Sequence, residues 1–450
     1  MIGAGLIAAG AGAVAALGVA AGEVFQIDLR RRWTTEVDLP EVCGYVAQQS
    51  TTAGDPIPLG VHGRGRVELS LARLSADGPH VVHTQTIEAT PQSGAYDFWR
   101  GLDWPTIDIG TSSDWVSGLY LLELSQGAAI YRQAVVIKPL TTPDIAVVVS
   151  TNTWAAYNEF GGLSNYRDYA SPQPLRLLKK VLKTMNWRLV VGNRRSVPAL
   201  PLPFLRPNAA INEDLATLDA DPVDYPSHLV RAEWAALRHF DRSDLSYGVY
   251  ADSDIAFGGA PYKARLMIFT AHSEYWSEEM KGRFTSYLAT GGRALFLSGN
   301  HWYRTVKFLE HGLEVVDDRV DPSVVAATLG SGYTADGYET YAPYRVVNAD
   351  HPVFEGTGLA EGDHFAGPDD RGRGGSGYET DKVNMGSGLV DVLAVGDNVE
   401  GPAFMVWKEH PAGGWVCNFG SVASAPWLER CVFMASVVKN VVRLGVTEAP

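Results

Sequence analysis

Three polar side chains, His272, Glu274 and Asn300, lie just beyond two apolar runs of the sequence. The runs cover residues 266–270 and 294–297, and each has the length and composition of a buried strand. An imidazole, a carboxylate and a carboxamide held together can transfer protons, bind a cation and orient a water or a carbonyl. A second interpretation is that His272 and Glu274 only cap the next helix and hydrogen-bond each other. Spacing alone does not separate the two.

The segment between the two runs is predicted to be a helix. Ser277 is a suitable N-cap, two glutamates follow in the first turn, and the glycines at 291–292 end the helix after Leu288. Strand, helix and strand at this spacing indicate a βαβ unit with parallel strands. Ligands bind at the carboxyl ends of such strands. The aromatic residues expected to wall that crevice are Tyr275, Trp276, Trp302 and Tyr303.

The fold class expected is α/β plus all-β, with an N-terminal extension over residues 1–42. Short strand-like runs at residues 66–74, 119–124 and 130–137 predict a β-sandwich over residues 43–140, with no catalytic constellation in it. A proline-bearing linker, residues 139–143, follows it. Alternating strand and helix patterns then predict a parallel-sheet α/β domain over residues 145–445. Its glycine-rich insertion, around residues 333–381, is expected to be a lid or a binding insertion.

Further elements of the α/β domain follow from the apolar patterns. The run at 145–150 is continuous, which is typical of a parallel strand buried on both faces. It leads into a segment, residues 152–166, that is dense in Asn and Tyr and is expected to be a loop. The remaining predictions are helices at 172–185, 228–240 and 427–444, a strand at 245–250, and a β pair at 403–407 and 415–418.

Composition excludes some classes of function. The formal net charge is −14, which offers no basic surface to nucleic acid. The 3 cysteines form neither a disulfide framework nor a zinc spacing, so a reducing cytoplasm is the simplest location. Residues 1–22 are uncharged and rich in Gly and Ala. They are consistent with a buried or oligomer-contact extension, with a membrane-attached or exported protein, or with a start codon placed too far upstream.

Several catalytic motifs are absent from the sequence. It has no Gly-x-Ser-x-Gly elbow, no P-loop and no His-Glu-x-x-His helix. The α/β pattern resembles glutamine-amidotransferase-like domains, but no cysteine lies at a strand-to-helix elbow, so a thiol nucleophile is not expected. A Gly-x-Gly-x-x-Gly match at residues 372–377 has neither the leading strand nor the following helix that dinucleotide binding requires. The polar residues that remain are mostly oxygen donors, which suit a hard metal ion.

The sequence resembles the large (beta) subunit family of N,N-dimethylformamidase over roughly residues 145–440. The motifs that carry the resemblance are NTWAAYN at 152–158 with the glycines at 161–162, HSEYW at 272–276, LSGN at 297–300 and GWVCNFGS at 414–421. The family also has a β-rich domain ahead of its α/β domain. The CGY opening at residues 43–45 agrees with that arrangement.

The resemblance implies a mononuclear iron site, with the iron in the ferric state. By match, Glu274 is the carboxylate ligand, and the two tyrosine ligands correspond to Tyr157 and Tyr166. His272, Asn300 and Glu379, the last in GYETD at 377–381, correspond to the catalytic residues beside the iron. The expected function is hydrolysis of the C–N bond of a small amide, N-alkylated or not, by metal-activated water. Trp154, Trp276 and Trp302 are expected to contact N-alkyl groups.

Two other functions fit the same sequence. Aromatic residues around an α/β crevice also suit a non-catalytic carbohydrate- or ligand-binding module, in which the tyrosines line a metal-free pocket. The chain could instead be a structural subunit whose apolar N-terminus directs assembly. The partners expected for the enzyme are a small amide substrate, a separate small subunit and further copies of the chain in a homo-oligomer.

Overall fold

The computed structural model of the chain describes residues 34–162, 164–166, 201–208, 215, 228–243, 245–317, 319–334 and 336–447. The apolar stretch 1–22, most of the 1–42 extension and the helix predicted at 172–185 lie outside the described residues. The described part combines a β-rich region with an α/β region, which confirms the α/β plus β class predicted from the sequence.

The β-rich region consists of a five-stranded and a three-stranded sheet around one core, with a short pair of strands at residues 34–36 and 95–97 beside them. Alternation decides which face each side chain takes, so Leu122 enters this core whereas Leu121 faces the α/β region. The three strand-like runs all lie within strands, as predicted. The strands are β1 (Thr34–Glu36), β2 (Cys43–Val46), β3 (Ser50–Thr52), β4 (Ile57–His62), β5 (Gly65–Ser75), β6 (Gly78–Ala89), β7 (Ala95–Asp97), β8 (Thr106–Ile109), β9 (Gly118–Gln126) and β10 (Ala129–Lys138).

The α/β region is built on a nine-stranded sheet. The strands of this region are β11 (Ile145–Val149), β12 (Pro201–Pro203), β13 (Gly248–Ala251), β14 (Leu266–Ala271), β15 (Tyr275–Ser277), β16 (Arg293–Ser298), β17 (Arg304–Leu309), β18 (Gly312–Asp317), β19 (Gly332–Tyr333), β20 (Thr340–Ala342), β21 (Tyr344–Val346), β22 (His364–Phe365), β23 (Ser376–Tyr378), β24 (Asp381–Lys382), β25 (Asp391–Gly396), β26 (Phe404–Glu409) and β27 (Trp415–Asn418). The nine-stranded sheet has the strand order β13-β11-β14-β16-β27-β26-β25-β21-β22, and its first five strands are parallel.

Helices cover both faces of this sheet. The helices are α1 (Thr151–Tyr157), α2 (Val230–Arg242), α3 (Asp252–Ala256), α4 (Glu278–Ala289), α5 (Pro322–Leu329) and α6 (Val432–Val446). Helices α2 and α6 pack with one set of strand side chains, which includes Val147 and Leu295. Helices α4 and α5 pack with the alternate set, which includes Val148 and Phe296. Burial on both faces is why strands such as β11 are apolar throughout.

The predicted βαβ unit is confirmed. Strands β14 and β16 are parallel neighbours, with Leu266 opposite Arg293 and Ala271 opposite Ser298. Ser277 caps α4, because its side chain accepts a hydrogen bond from the Met280 backbone N–H at 3.2 Å. The interpretation in which His272 and Glu274 cap this helix is therefore wrong.

Three local predictions differ from the structure. Residues 152–157 belong to the helix α1 instead of a loop, since buried carboxylates satisfy its first N–H groups and Ala155 and Ala156 favour helix. The 333–381 insertion contains short strands, two of which extend the nine-stranded sheet. The closing helix begins at Val432, after a short 3₁₀ turn at Ala425–Leu428. In the described residues, no helix is long and apolar enough to cross a membrane.

Candidate functional site

The predicted site residues project from one edge of the parallel sheet. Strand β11 leads directly into α1, whose last residue is Tyr157, and His272 follows β14. Asn300 lies two residues beyond β16. Because β11, β14 and β16 run in parallel, their carboxyl ends place these residues side by side.

Two buried carboxylates hold the start of α1 and so set the position of Tyr157. Glu233 Oε1 accepts a hydrogen bond from the Ser150 N–H at 2.7 Å, and Asp252 Oδ2 accepts one from the Asn152 N–H at 2.9 Å. Acceptor oxygens at this end satisfy N–H groups that have no partner within the helix. The short helix is thus anchored from α2 and α3.

The backbone is strained at the points where the site residues leave their strands. Positive φ angles occur at Ala271 (57°), next to His272, and at Asn300 itself (52°). Trp302 (54°) and Tyr378 (63°), the latter next to Glu379, show the same conformation. Non-glycine residues in this region cost free energy, and such strain concentrates where side chains must be aimed for function.

Two of the predicted residues, Asn300 and His272, converge on the carboxylate of a third, Glu379. Asn300 Nδ2 donates a hydrogen bond to Glu379 Oε2 at 2.8 Å, and His272 Nε2 lies 3.0 Å from the same oxygen. The Asn300 backbone N–H donates to Asp381 Oδ1 at 2.8 Å. The segment containing Glu379 and Asp381 therefore fixes Asn300 by its side chain and by its backbone. All four residues are buried.

The predicted metal ligands form the adjoining part of the same cluster. Tyr166 Oη donates to Glu274 Oε2 at 2.5 Å, and the Tyr157 and Tyr166 ring centroids are 4.2 Å apart. Glu274 Oε2 also lies 3.6 Å from His272 Nε2, which joins the two parts of the cluster. Glu274 is almost fully buried, whereas Tyr166 is 41% exposed and lies at the rim.

Arg304 and Tyr275 hydrogen-bond to two of the predicted metal ligands, Glu274 and Tyr166. Arg304 Nε donates to Glu274 Oε1 at 3.0 Å, and its guanidinium lies 5.6 Å from the Tyr166 ring centroid. Tyr275 Oη donates to Tyr166 Oη at 2.8 Å. Both residues were outside the predicted set of ligands and catalytic groups. The signal in the sequence is their position, since each stands at the start of a strand that closely follows a site residue.

Burial and the neighbouring charges set the protonation of the cluster. Burial raises the pKa of Glu274, against the opposing effect of the Arg304 guanidinium. Burial alone would lower the pKa of His272, but the carboxylates of Glu379, Glu274 and Asp381 together outweigh it, so the pKa of His272 is raised. Burial, followed by the charge of Glu274, holds the pKa values of Tyr157 and Tyr166 well above the usual range. These phenols keep their protons unless a cation lies beside them.

The donor chemistry of the cluster fits a hard cation. Two phenol oxygens and a carboxylate are hard ligands, and a cation would offset the charge repulsion that keeps the phenols protonated. Two further buried atoms of the cluster, His272 Nδ1 and Asn300 Oδ1, have no hydrogen-bond partner among the described residues. Such atoms are costly unless a bound group satisfies them. Within the part of the chain that the structure describes, no group of three or more His, Cys, Asp or Glu side chains is arranged to hold a metal.

Not all of the predicted aromatic wall faces the site. Trp276 and Trp302 lie against each other, with ring centroids 5.0 Å apart, and pack with Phe284 in the core beneath α4. The prediction that these two indoles contact substrate is wrong, because both are buried in this core. Alternation along β15 turns Trp276 away from the edge to which Tyr275 points. His228, which sequence reasoning took only as the start of a helix, lies with its ring 5.5 Å from that of His272.

A model of a known protein family matches most of the chain. A family model described as "N,N-dimethylformamidase beta subunit-like, C-terminal" matches residues 69–324 and 319–432. These residues include both parts of the cluster and most of the described chain. The match confirms the resemblance predicted from the sequence. No curated protein matches the chain.

Two solved structures overlap with the chain weakly. An exo-beta-1,4-mannosidase, Op5Man5 from Opitutaceae bacterium strain TAV5, matches with a TM-score of 0.27 and 12% identity, over 52% of this chain and 34% of its own. A putative ThuA-like protein from Parabacteroides merdae ATCC 43184 matches with a TM-score of 0.30 and 13% identity, over 49% of this chain and 88% of its own. The chain thus spans about a third of the length of the mannosidase. TM-scores this low support no assignment of fold or function.

Proposed function

Because the chain belongs to the N,N-dimethylformamidase beta subunit-like family, we propose that it is a hydrolase that cleaves the C–N bond of a small amide, N-alkylated or not. The observation that carries the proposal is the single buried cluster of His272, Glu274, Asn300 and Glu379 at the carboxyl edge of the sheet. Amide hydrolysis needs a polarised carbonyl, an activated water and a proton for the departing amine, and the groups of this cluster are suited to those tasks.

The proposal includes a mononuclear ferric iron held by Tyr157, Tyr166 and Glu274. Support comes from the hard oxygen donors, from the hydrogen bond between Tyr166 and Glu274, and from the buried atoms of His272 and Asn300 that lack partners among the described residues. When bound, such an ion supplies Lewis acidity toward the carbonyl and a nucleophilic water at neutral pH.

Glu379 and His272 are proposed to handle the protons. The Glu379 carboxylate takes a proton from the attacking water as the water oxygen bonds to the carbonyl carbon. The 3.0 Å between Glu379 Oε2 and His272 Nε2 is short enough for that proton to pass between them. The proton is then delivered to the amine nitrogen as the C–N bond breaks. The second proton of the water stays on the new carboxylic acid until that acid ionises, so the products are the acid and the amine.

Asn300 is proposed to orient the reacting groups. One of its two Nδ2 protons is donated to Glu379, so the other is available to the carbonyl oxygen of the substrate. Its Oδ1, buried and without a partner in the described part of the chain, can accept a hydrogen bond from the attacking water. The strained backbone at Asn300, tied to Asp381, keeps both groups of the carboxamide aimed at the site.

Features of the whole protein belong to the same proposal. We take residues 43–140 as a β-sandwich, since two sheets enclose one core, and residues 145–445 as a glutamine-amidotransferase-like domain. The description of the family as a beta subunit supports a separate small subunit as partner. Assembly into a homo-oligomer remains part of the prediction.

Proton NMR of the protein incubated with N,N-dimethylformamide tests the activity. We expect formate and dimethylamine to appear in equal amounts. Glu379→Gln, which keeps the shape but not the base, should lower the rate by about 100- to 10,000-fold. Glu409→Gln, at an exposed strand end, serves as the matched control and should keep the wild-type rate. No turnover of this or any other small amide by iron-loaded protein, together with binding of a saccharide, would favour the non-catalytic binding module instead.

A further inference from the structure

A directed chain of hydrogen bonds enters the site through Tyr275. Asn165 Nδ2 donates to Tyr275 Oη at 2.6 Å, Tyr275 Oη donates to Tyr166 Oη at 2.8 Å, and Tyr166 Oη donates to Glu274 Oε2 at 2.5 Å. The two ends fix its direction, because an amide nitrogen can only donate and an ionised carboxylate can only accept. Each hydroxyl between them therefore accepts one bond and donates one.

The strand pairing holds Tyr275 in this position. Strands β15 and β17 are parallel, and Tyr275 is the register partner of Arg304. The Arg304 guanidinium lies 5.8 Å from the Tyr275 ring centroid and also bonds Glu274. Tyr275 is 1% exposed, so its ring has no freedom to rotate away from Tyr166.

The geometry separates Tyr275 from the residues proposed as ligands. Its hydroxyl proton points to Tyr166 and its oxygen accepts from Asn165, so neither is directed at Glu274. The Tyr275 hydroxyl donates its hydrogen bond to a lone pair of Tyr166 Oη. This hydrogen bond therefore does not involve the Tyr166 hydroxyl proton. The donation therefore persists when a cation takes the place of that proton.

We propose that Tyr275 is a positioning residue of the site, which fixes the Tyr166 oxygen against Glu274 and draws electron density from it. The inference rests on the proposed iron site, and it adds a residue that tunes the ligand instead of binding the metal. Groups that hydrogen-bond metal ligands orient them and adjust their donor strength, and their loss weakens metal affinity by about 10- to 100-fold.

The variant Tyr275→Phe tests the proposal, because it removes the hydroxyl and keeps the ring against Arg304. Tyr287→Phe is the matched control, since Tyr287 is also a buried tyrosine, and its hydroxyl contacts three backbone carbonyls, at 3.0–3.2 Å, away from the site. The readouts are the iron dissociation constant, measured by competition with a chelator, and the wavelength of the phenolate-to-ferric absorption band.

Removal of the donor raises the energy of the phenolate electrons, so the band of Tyr275→Phe should move to longer wavelength. Loss of the fixed orientation of Tyr166 should outweigh the stronger donation of its oxygen, so iron should bind about 10- to 100-fold more weakly. The control should change in neither respect. An unchanged band and unchanged iron affinity in Tyr275→Phe, with iron present in the wild type, overturn the role of Tyr275 and leave the iron site standing. A wild type that takes up no iron overturns the iron site itself, and the role of Tyr275 with it.

A second variant covers the case in which Tyr275→Phe does not fold. Asn165→Ala removes the preceding donor at a half-buried position, where loss of stability is less of a concern. It should shift the band in the same direction by a smaller amount, because the Tyr275 hydroxyl becomes free to rotate. No shift in Asn165→Ala contradicts the directed chain.

Discussion

The core of the β-rich region and the carboxyl edge of the α/β sheet differ in what they bury. Between residues 34 and 138, the buried polar side chains are Ser50, Thr51 and Ser117, and Asp103 is the described non-glycine residue with a positive φ. The sheet edge buries charged and polar groups in one cluster and has several positive φ angles next to them. The buried groups are His272, Glu274, Asn300, His301, Glu379 and Asp381.

This difference distinguishes a region whose side chains only pack from a region whose side chains are suited to chemistry. A core that follows the rules of alternation and apolar burial stabilises the fold and needs no other explanation. A region that buries charges and strains its backbone loses stability, and natural proteins keep such regions mainly where function requires them. The contrast therefore points to the sheet edge as the site, independently of any family match.

The largest effect on the comparison between the β-rich core and the sheet edge is expected from Glu274→Ala. We expect amide turnover to fall by at least about 100-fold, because a proposed ligand is lost. Stability should also fall by about 3 kcal/mol, since the largely buried Arg304 loses its partner. Turnover and iron content measured beside the unfolding free energy check both parts. A variant that retains both metal and full activity would show that Glu274 is not a ligand.

Leu122→Ala should have the opposite profile. Leu122 is fully buried in the β-rich core, so its truncation should cost about 2 to 5 kcal/mol of unfolding free energy. The kcat of the protein that remains folded should match the wild type, because the core has no role in chemistry. Urea unfolding and kinetics on the same preparation separate the two effects, and a fall in kcat at constant folded fraction would contradict the division.

Asp252→Asn tests a buried acidic group that supports the site without belonging to the cluster, because it holds the start of α1. Burial raises the pKa of Asp252 to about 8. The folded state therefore binds this proton more tightly than the unfolded state, in which an aspartate has its usual pKa of about 4. Its stabilising effect is complete below that value and is lost as pH rises toward 8.

The expected slope is at most about 1.4 kcal/mol per pH unit. The carboxamide introduced by Asp252→Asn cannot titrate and can still accept from the Asn152 N–H, so the variant should flatten the decline in unfolding free energy between about pH 4 and 8. Asp108→Asn, on an exposed strand, is the control. Equal slopes in wild type and Asp252→Asn would argue against a protonated Asp252.

The smallest effect is expected for Glu68→Gln. Glu68 and Arg66 form an exposed ion pair on the β-rich region, with side chains 51% and 71% exposed. Solvent screens such pairs, so neither the melting temperature nor amide turnover should change measurably. Thermal unfolding followed by circular dichroism checks this, and a clear fall in melting temperature would mean that this surface contributes more than its exposure indicates.

The fold could be predicted where local signals agree with the tertiary structure. The strands β14 and β16 and the helix between them follow from apolar runs, the Ser277 cap and the terminal glycines, all within a short segment. Helix α1 could not be predicted, because Glu233 and Asp252, which satisfy its first N–H groups, are distant in the chain. The bounds of the two domains remain predictions.

The candidate site likewise contains residues that could be predicted from local sequence and residues that could not. His272, Glu274 and Asn300 lie at strand ends and could be recognised from spacing. Glu379 and the tyrosines came from the resemblance, and Arg304 was missed, because its contact with Glu274 depends on the pairing of β15 with β17. Trp276 was misplaced because the sequence does not show which face of so short a strand meets the site.

Elemental analysis of the purified protein, recorded beside its visible absorption spectrum, is the most direct test of the central claim. The account predicts one iron per chain and a phenolate-to-ferric charge-transfer band that loses intensity in Tyr157→Phe and in Tyr166→Phe. A protein that contains no metal and takes up none on reconstitution would contradict the iron-dependent mechanism.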